Sequence, residues 1–210
     1  MNRGLSVLAL LVSVATGLAV GGCTFASAAG SSSVATGSGV AAGSSAAAAG
    51  GGLARSTASS RRVQPQPAPG SCHARGRGLF SLPDPSCTPG AIDPTVNPGD
   101  TGRTICRSGY TKTVRPPESV TEDEKRASLR AYGDRRPLHY YEYDHLVPLE
   151  LGGARNDPRN LWPEPGASPN PKDELEYRLR TRVCDGEMSL AAAQLAIARD
   201  WVTAYDRYVR

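Results

Sequence analysis

The feature that most restricts how this chain can fold is a sharp change of composition near residue 70. Residues 24–70 are dominated by Ala, Gly, Ser and Thr, with Pro towards the end. Such a segment cannot bury enough apolar surface to offset the entropy that is lost on ordering. We therefore expect residues 29–70 to form a disordered linker and residues 71–210 to form one folded domain.

The charge distribution follows the same division. Residues 1–70 contain four arginines and no acidic residue, whereas the whole chain has 24 basic and 20 acidic residues. Residues 71–210 therefore hold 20 of each kind (24 − 4 = 20) and carry no net charge. A neutral domain gives no electrostatic argument for nucleic-acid binding, so binding of that kind would need a local basic patch.

Residues 1–28 have the features of an export signal. Arg3 is followed by an apolar run that ends in small residues. The "VGGC" segment resembles a bacterial lipobox, which would place a lipid on Cys23 and attach the protein to a membrane. The "ASA" segment at 26–28 instead resembles an ordinary signal-peptidase site, and an uncleaved anchor is the third alternative, although the run is short. The first two alternatives both predict an extracytoplasmic protein.

The cysteines support the same compartment. They are Cys23, Cys72, Cys87, Cys106 and Cys184. Disulfides persist outside the cytoplasm, and the four cysteines left after processing or acylation of the first allow three connectivities. We favour the pairs Cys72–Cys87 and Cys106–Cys184, which would hold a loop-rich N-terminal extension, with free buried thiols as the alternative. The spacing does not suggest a zinc site.

Residues 71–210 have the pattern of an α+β domain. Turn-forming residues dominate 71–120, with a short strand pair expected around Ser108 and Gly109. The segment "LHYYEYDHLVPL" is aromatic and apolar enough for a strand. Apolar residues at helical spacing, with suitable capping residues, predict the helices. The first helix covers 121–133, with a capping box from Thr121 to Glu124, and the second covers 170–186. The last helix begins at 189, and its apolar stripe reaches Tyr205.

One charged pair interrupts the predicted strand. In "YEYDHLVPLELGG", residues 141–153, Asp144 directly precedes His145. Burying two titratable neighbours without partners is expensive, so a functional site is the better explanation. A satisfied polar pair at a sheet edge is the alternative. Asn160 follows 15 residues later (160 − 145), and it would otherwise be a turn or capping residue.

The segment "DHLVPLELGG…NDPRNLW" resembles the motif of the HNH endonucleases, the ββα-metal or His-Me finger nucleases, over about residues 140–185. In that family a strand carries an acid–histidine pair, an asparagine precedes a second strand, and a helix supplies a final position. The resemblance implies a small ββα-metal core with flanking helices. It also implies hydrolysis of phosphodiester bonds in DNA, with RNA as the alternative substrate.

The resemblance implies a role for each residue of the motif. His145 is similar to the general base that takes a proton from water. Asp144 and Asn160 are similar to ligands of a divalent ion, with Mg²⁺ or Mn²⁺ favoured because oxygen ligands suit hard cations. No histidine follows Asn160, which departs from the commonest pattern. Of the residues that open the next helix, Asn170, Asp173, Glu174 and Glu176, we expect Asp173 to be the further metal ligand.

Four further residues complete the candidate site. Arg155, Arg159 and Lys172 are candidates for phosphate contacts, and Glu150 is a candidate to support His145 by a hydrogen bond. Solvated surface charge is the alternative for each. Two rival functions stay open: a non-catalytic exported binding protein on the same scaffold, and a metal-dependent hydrolase of another phosphate ester. Nucleic acid is the expected partner, and the sequence implies no protein partner.

Overall fold

The computed structural model describes residues 52–210, in which helices and small sheets are mixed, so the α+β class is confirmed. The predicted export signal and Cys23 lie outside these residues. Within them, no helix is long and apolar enough to cross a membrane. The strands are β1 (Ala54–Arg55), β2 (Ala91–Ile92), β3 (Tyr141–His145) and β4 (Leu161–Pro165), and the helices are α1 (Tyr110–Val114), α2 (Glu118–Ala131), α3 (Pro171–Cys184) and α4 (Leu190–Tyr208).

The four strands form two small sheets. Strand β1 pairs with β2 in parallel, and β3 pairs with β4 in antiparallel orientation. The register of the second sheet places Glu142 opposite Glu164 and Asp144 opposite Trp162. The predicted strand is confirmed as β3, a second strand begins directly after Asn160, and helix α3 follows it. The part of the chain that carries the motif therefore runs strand, loop, strand, helix.

Residues 52–70 pack against the domain, although their composition predicts a disordered linker. Ala54 and Arg55 form β1. The Ser56 hydroxyl donates a hydrogen bond to Asp157 at 2.7 Å, and the backbone N–H of Gln64 donates to the buried carboxylate of Glu124 at 2.6 Å. Leu53 packs on the core, and backbone and short polar groups hold the rest of the segment, so its low apolar content did not reveal the order. The folded region includes β1 and does not begin at residue 71.

Two local predictions differ from the structure. Helix α2 begins at Glu118 after Pro117, and the predicted capping box from Thr121 does not form because that position already lies inside the helix. The strand pair expected around Ser108 and Gly109 is replaced by a turn, in which Gly109 has a φ of +75°, and by the short helix α1. In both places the residue types that form turns are also those that begin helices, so the sequence does not separate the two.

The apolar stripes predicted for the last two helices meet in the core. Helices α3 and α4 pack together, and Trp201 is fully buried with its indole N–H donating to the Ser81 carbonyl at 3.0 Å. Burying a large apolar side chain stabilises a fold by about 1.5–3 kcal/mol. The buried residues of the two stripes are Leu175, Leu179, Val183, Ala193, Ile197 and Trp201.

Two disulfides join the pairs favoured from the sequence. Cys72 bonds to Cys87 across 15 residues, and Cys106 bonds to Cys184 across 78 residues. The second bond ties the loop-rich extension to the last residue of α3. Disulfides of this kind fit an oxidising, extracytoplasmic environment.

Removing the longer cross-link should cost more stability than removing the shorter one. A cross-link limits the entropy of the unfolded chain, and the entropy difference between loops of 78 and 15 residues corresponds to about 1.5 kcal/mol. We expect the double variant Cys106→Ser/Cys184→Ser to lose about 2–4 kcal/mol of unfolding free energy. Urea unfolding of that variant beside Cys72→Ser/Cys87→Ser measures both, and equal losses would contradict the loop-length explanation.

Candidate active site

Asn160 positions the loop that follows β3. Its side chain is fully buried, and each of its hydrogen-bonding positions is used. Its Nδ2 donates to the carbonyls of Val147 (2.9 Å) and Ala154 (3.1 Å), and its Oδ1 accepts from the N–H groups of Val147 (2.9 Å) and Ala91 (3.4 Å). An amide oxygen that already accepts two bonds has no lone pair for a metal ion. The structure therefore places Asn160 as a positioning residue and not as the metal ligand expected from the sequence.

The glycine pair allows this loop to close. A Cβ atom on Gly153 would lie 1.7 Å from the carbonyl oxygen of Val147. Gly152 has a φ of +71°, and a Cβ there would lie 2.7 Å from the side chain of Val96. A side chain fits at neither position unless the backbone moves. The closed loop brings the main chain of Arg155 back to the end of β3.

His145 is the last residue of β3 and is held by that returning main chain. The ring is 5% exposed, and its Nε2 lies 2.9 Å from the carbonyl oxygen of Arg155. Because a carbonyl only accepts, Nε2 carries the proton and Nδ1 carries the lone pair. Burial lowers the pKa of His145 to about 4, although the neighbouring Asp144 carboxylate acts in the opposite direction. The ring is therefore neutral near pH 7, which is the state that a general base requires.

Glu150 does not have the supporting role expected from the sequence. The hydrogen bond that orients His145 comes from the Arg155 main chain. Glu150 lies instead in a small cleft beside Arg180 and the turn at residues 105–111. Burial raises the pKa of this carboxyl, and the Arg180 guanidinium opposes that change.

Lys172 lies at the centre of a group of buried carboxylates. Its side chain is 1% exposed, and its ammonium donates to the carboxylates of Asp144 and Glu176 and to the carbonyl oxygen of His145 at 2.9 Å. A third carboxylate, that of the buried Glu164, lies 3.9 Å from the same ammonium. We call Asp144, Glu164, Glu176 and Lys172 the carboxylate–lysine cluster. Lys172 is thus an internal counter-ion in this structure and is not placed to contact phosphate.

The protonation of the cluster follows from its charges. Burial opposes ionisation of Asp144, but the ammonium of Lys172 outweighs it and lowers the pKa of that carboxyl. Burial would lower the pKa of Lys172, yet Asp144 and Glu176 raise it well above its ordinary value. Burial also raises the pKa of Glu176 to about 8 and that of Glu164 well above its usual range. The Asp144–Lys172 pair is therefore ionised at neutral pH, while the other two carboxyls tend to keep their protons.

Asp173, the further metal ligand expected from the sequence, caps α3 instead. Its carboxylate accepts from the Asn170 N–H and from the Ser168 hydroxyl, both at 2.8 Å. The Asn170 side chain accepts from the first N–H groups of α3 in return, which completes a capping box. The Asp173 carboxylate is thus engaged in capping α3.

Glu176 is the acid of α3 that joins the site. It lies one helical turn after Lys172, on the side of the helix that also buries Leu175 and Leu179. Lys172 stands in line with those leucines at helical spacing, so the sequence did contain a signal that its side chain points inward. A charged residue on an apolar face needs a buried partner, and that requirement identifies the cluster.

The two loop arginines predicted to contact phosphate already have carboxylate partners. Arg155 pairs with Asp93 at 2.5 Å, and Arg159 pairs with Asp157 at 2.7 Å. Their side chains keep 33% and 46% of their surface exposed, so phosphate contact stays a prediction for both.

Arg115 is a cation near the site that the sequence pattern did not single out. It is exposed, it ends α1, and the described residues give it no salt-bridge partner. Burial lowers the pKa of His145 and raises that of Glu142. The positive charge of Arg115 lowers both pKa values by a smaller amount. Arg115 is thus close enough to the end of β3 to act on groups that carry the candidate chemistry.

The described side chains offer no ready site for the Mg²⁺ or Mn²⁺ that the resemblance implies. Across residues 52–210, no three His, Cys, Asp or Glu side chains are grouped so that they could hold a metal ion. Three carboxylates do converge in the cluster, but they surround the ammonium of Lys172. The side chains in this conformation do not fit a bound divalent ion.

Fold and site alone define the class of this protein. It is an α+β domain with two disulfides, in which a buried neutral histidine adjoins a carboxylate–lysine cluster. No family model, curated protein or solved structure matches the chain. A function can therefore be inferred only from the geometry of the described residues and from the motif around Asp144 and His145.

Proposed function

We propose that this protein is an exported endonuclease of the HNH type that hydrolyses phosphodiester bonds in DNA, with RNA as the alternative substrate. One observation carries the proposal. His145 is neutral, and the Arg155 carbonyl fixes its tautomer so that Nδ1 is the basic nitrogen. The ring stands at the end of the first strand of a strand, loop, strand, helix segment. A histidine held in one tautomer by a main-chain carbonyl is prepared to take a proton.

The proposed reaction uses His145 as the general base. Water attacks the phosphorus as one of its protons passes to Nδ1, and the P–O bond to the leaving sugar oxygen breaks. That oxygen takes a proton from solvent, and the imidazolium returns its own proton to solvent. The imidazolium that forms is next to the Asp144 carboxylate, which favours its positive charge. Because the pKa of His145 is low, the ring is almost fully in its basic form at neutral pH. A positioned base of this kind contributes about 10²–10⁴ in rate.

The remaining roles are electrostatic. Arg155, Arg159 and Arg115 are the cations that we propose for binding the phosphates on either side of the scissile bond. Mg²⁺ or Mn²⁺ is still the cofactor implied by the resemblance. Because the described carboxylates surround Lys172, we assign no step of the reaction to a metal ion.

Export is part of the proposal and is supported by the two disulfides. Attachment to a membrane through a lipid on Cys23 and release after residue 28 remain the two forms of export that we consider. The mass of the mature N-terminal peptide distinguishes them. A mature chain that retains residues 1–28 would contradict both.

The purified protein should convert supercoiled plasmid into nicked and then linear DNA. Parallel reactions with Mg²⁺, with Mn²⁺ and with EDTA determine whether a divalent ion is required. Single-stranded RNA and bis(p-nitrophenyl) phosphate, tested beside the plasmid, separate a DNA endonuclease from an RNase and from a hydrolase of small phosphodiesters. Cleavage of the small diester alone would support that last class.

The second candidate function is a non-catalytic exported binding protein on the same scaffold. The observation that favours it is the lysine inside the acidic cluster, at a position where a metal-dependent enzyme would keep space for a cation. Failure of the disulfide-bonded protein to cleave any of these substrates with any of the ions would support this candidate and contradict the endonuclease.

A further inference from the structure

Glu164 is the member of the carboxylate–lysine cluster that its surroundings satisfy least. It is 1% exposed, and among the described residues no N–H or hydroxyl group donates to either of its carboxyl oxygens. Ionised, such a buried carboxylate would be costly, and Glu164 avoids that cost by keeping a proton that it can share with Asp144. A closer cation of higher charge would favour its ionised form. The ammonium of Lys172, 3.9 Å away, is too distant for a hydrogen bond.

The donors of Lys172 explain why Glu164 is left unsatisfied. An ammonium has three N–H groups. Here they are used by the Asp144 carboxylate, the Glu176 carboxylate and the His145 carbonyl oxygen. The ammonium therefore has no donor left for Glu164, and its single positive charge faces three carboxyl groups.

The oxygen atoms around Lys172 come from three different elements. Asp144 and the His145 carbonyl belong to β3, Glu164 belongs to β4, and Glu176 belongs to α3. Three carboxylates and one main-chain carbonyl, held by separate elements around one point, are the kind of oxygen shell that hard divalent cations prefer. A dication at that point would supply twice the charge of the ammonium and could also contact Glu164.

We propose that Lys172 is a built-in cation that occupies a latent divalent-metal site formed by Asp144, Glu164, Glu176 and the carbonyl oxygen of His145. With the lysine in place, the site does not take up a divalent ion. Without the lysine charge, the same oxygens bind Mn²⁺, Mg²⁺ or Ca²⁺. This inference does not depend on the proposed endonuclease activity, because it concerns only the charges and geometry of the cluster.

Lys172→Met tests the proposal directly, because methionine fills similar space without the charge. Mn²⁺ binding to the full chain is measured by the electron paramagnetic resonance signal of free Mn²⁺. We expect the variant to bind one Mn²⁺ at least about tenfold more tightly than the parent protein. The gain should disappear in Lys172→Met/Glu176→Gln, which lacks one of the ligands.

Lys125→Met is the matched control. Lys125 is also partly buried, and its charge is influenced by two acids, Glu142 and Glu122, but it lies on α2 outside the cluster. Its replacement should leave Mn²⁺ binding unchanged. A gain in this control equal to that of Lys172→Met would overturn the proposal, because it would show that loss of any buried lysine charge has the same effect.

Loss of the ammonium leaves three buried carboxyl groups together, so the Lys172→Met protein is also examined by circular dichroism. If it is unfolded without metal, added Mn²⁺ should restore its helical signal and a cooperative thermal transition. Lys172→Met/Glu164→Gln lacks another of the ligands and should lose the gain in the same way as Lys172→Met/Glu176→Gln. The proposal is overturned if the parent protein binds Mn²⁺ as tightly as Lys172→Met. It is equally overturned if Lys172→Met gains neither Mn²⁺ binding nor Mn²⁺-dependent stability.

Discussion

Replacing His145 with alanine should lower the rate of plasmid nicking by about 10²–10⁴-fold, the contribution of a positioned general base. The loss should appear in kcat, because the proton is transferred only in the chemical step. The supporting geometry is the hydrogen bond from Nε2 to the Arg155 carbonyl, which leaves Nδ1 free to accept a proton. Single-turnover nicking measured at saturating protein isolates that step from binding.

His139→Ala is the matched control for this prediction. His139 is exposed and lies in the turn that precedes β3, so its loss should leave nicking unchanged. Thermal unfolding of both variants separates loss of catalysis from loss of the fold. A His145→Ala protein that remains folded and cleaves DNA as fast as the parent would show that the histidine is not the base.

The same histidine makes a prediction about pH. Burial lowers its pKa to about 4 in the folded protein, and Asp144, Arg115 and Lys172 are the charged neighbours that modify this value. The catalytic form is the neutral ring, so protonation of His145 should not reduce activity between about pH 8 and pH 5, unlike a histidine with the ordinary value near 6.5. The free energy of unfolding should also decrease as the pH falls from about 6.5 to 4, because His145 binds a proton in the unfolded chain before it does so in the folded protein. If the rate of the parent halved near pH 6.5 while that of His145→Ala did not, the lowered pKa of His145 would be contradicted.

The parts of the fold that the sequence predicted are those with a local cause. The strand around Asp144 is marked by its aromatic and apolar composition, and helices α3 and α4 are marked by their periodicity and by their capping residues Asn170 and Ser189. Strand β1 could not be predicted in this way. It has two residues, it is exposed, and it exists because β2 offers hydrogen-bonding groups to it from 37 residues away (91 − 54).

The candidate site was predictable only where its residues are adjacent in sequence. Asp144 and His145 could be recognised as a pair, whereas Glu164 joins them through the register of β3 with β4. Glu176 joins them only because α3 turns the side of the helix that carries Lys172 towards the same point. Proximity between three separate elements depends on packing, and no spacing rule in the sequence expresses it.

Asn160 shows how one residue type supports two different predictions. An amide oxygen can coordinate a cation, and a complete amide can also join two pieces of backbone. The ligand role was implied only by the resemblance of the motif. The structure shows that Val147, Ala154 and Ala91 use all of its hydrogen-bonding positions, which leaves the positioning role. The two roles have different consequences for stability in the absence of metal.

Asn160→Ala should therefore lower the free energy of unfolding by about 3–5 kcal/mol, even in EDTA. The change leaves the Val147 N–H, the Val147 carbonyl and the Ala154 carbonyl buried without this partner, at about 1–3 kcal/mol for each group. Urea unfolding with and without Mn²⁺ measures the effect, with Asn97→Ala as the control because Asn97 is exposed. If Asn160 were a metal ligand only, the variant would be as stable as the parent in EDTA and would differ only in Mn²⁺. Nicking should fall together with stability, because the loop that Asn160 holds also carries the Arg155 carbonyl that orients His145.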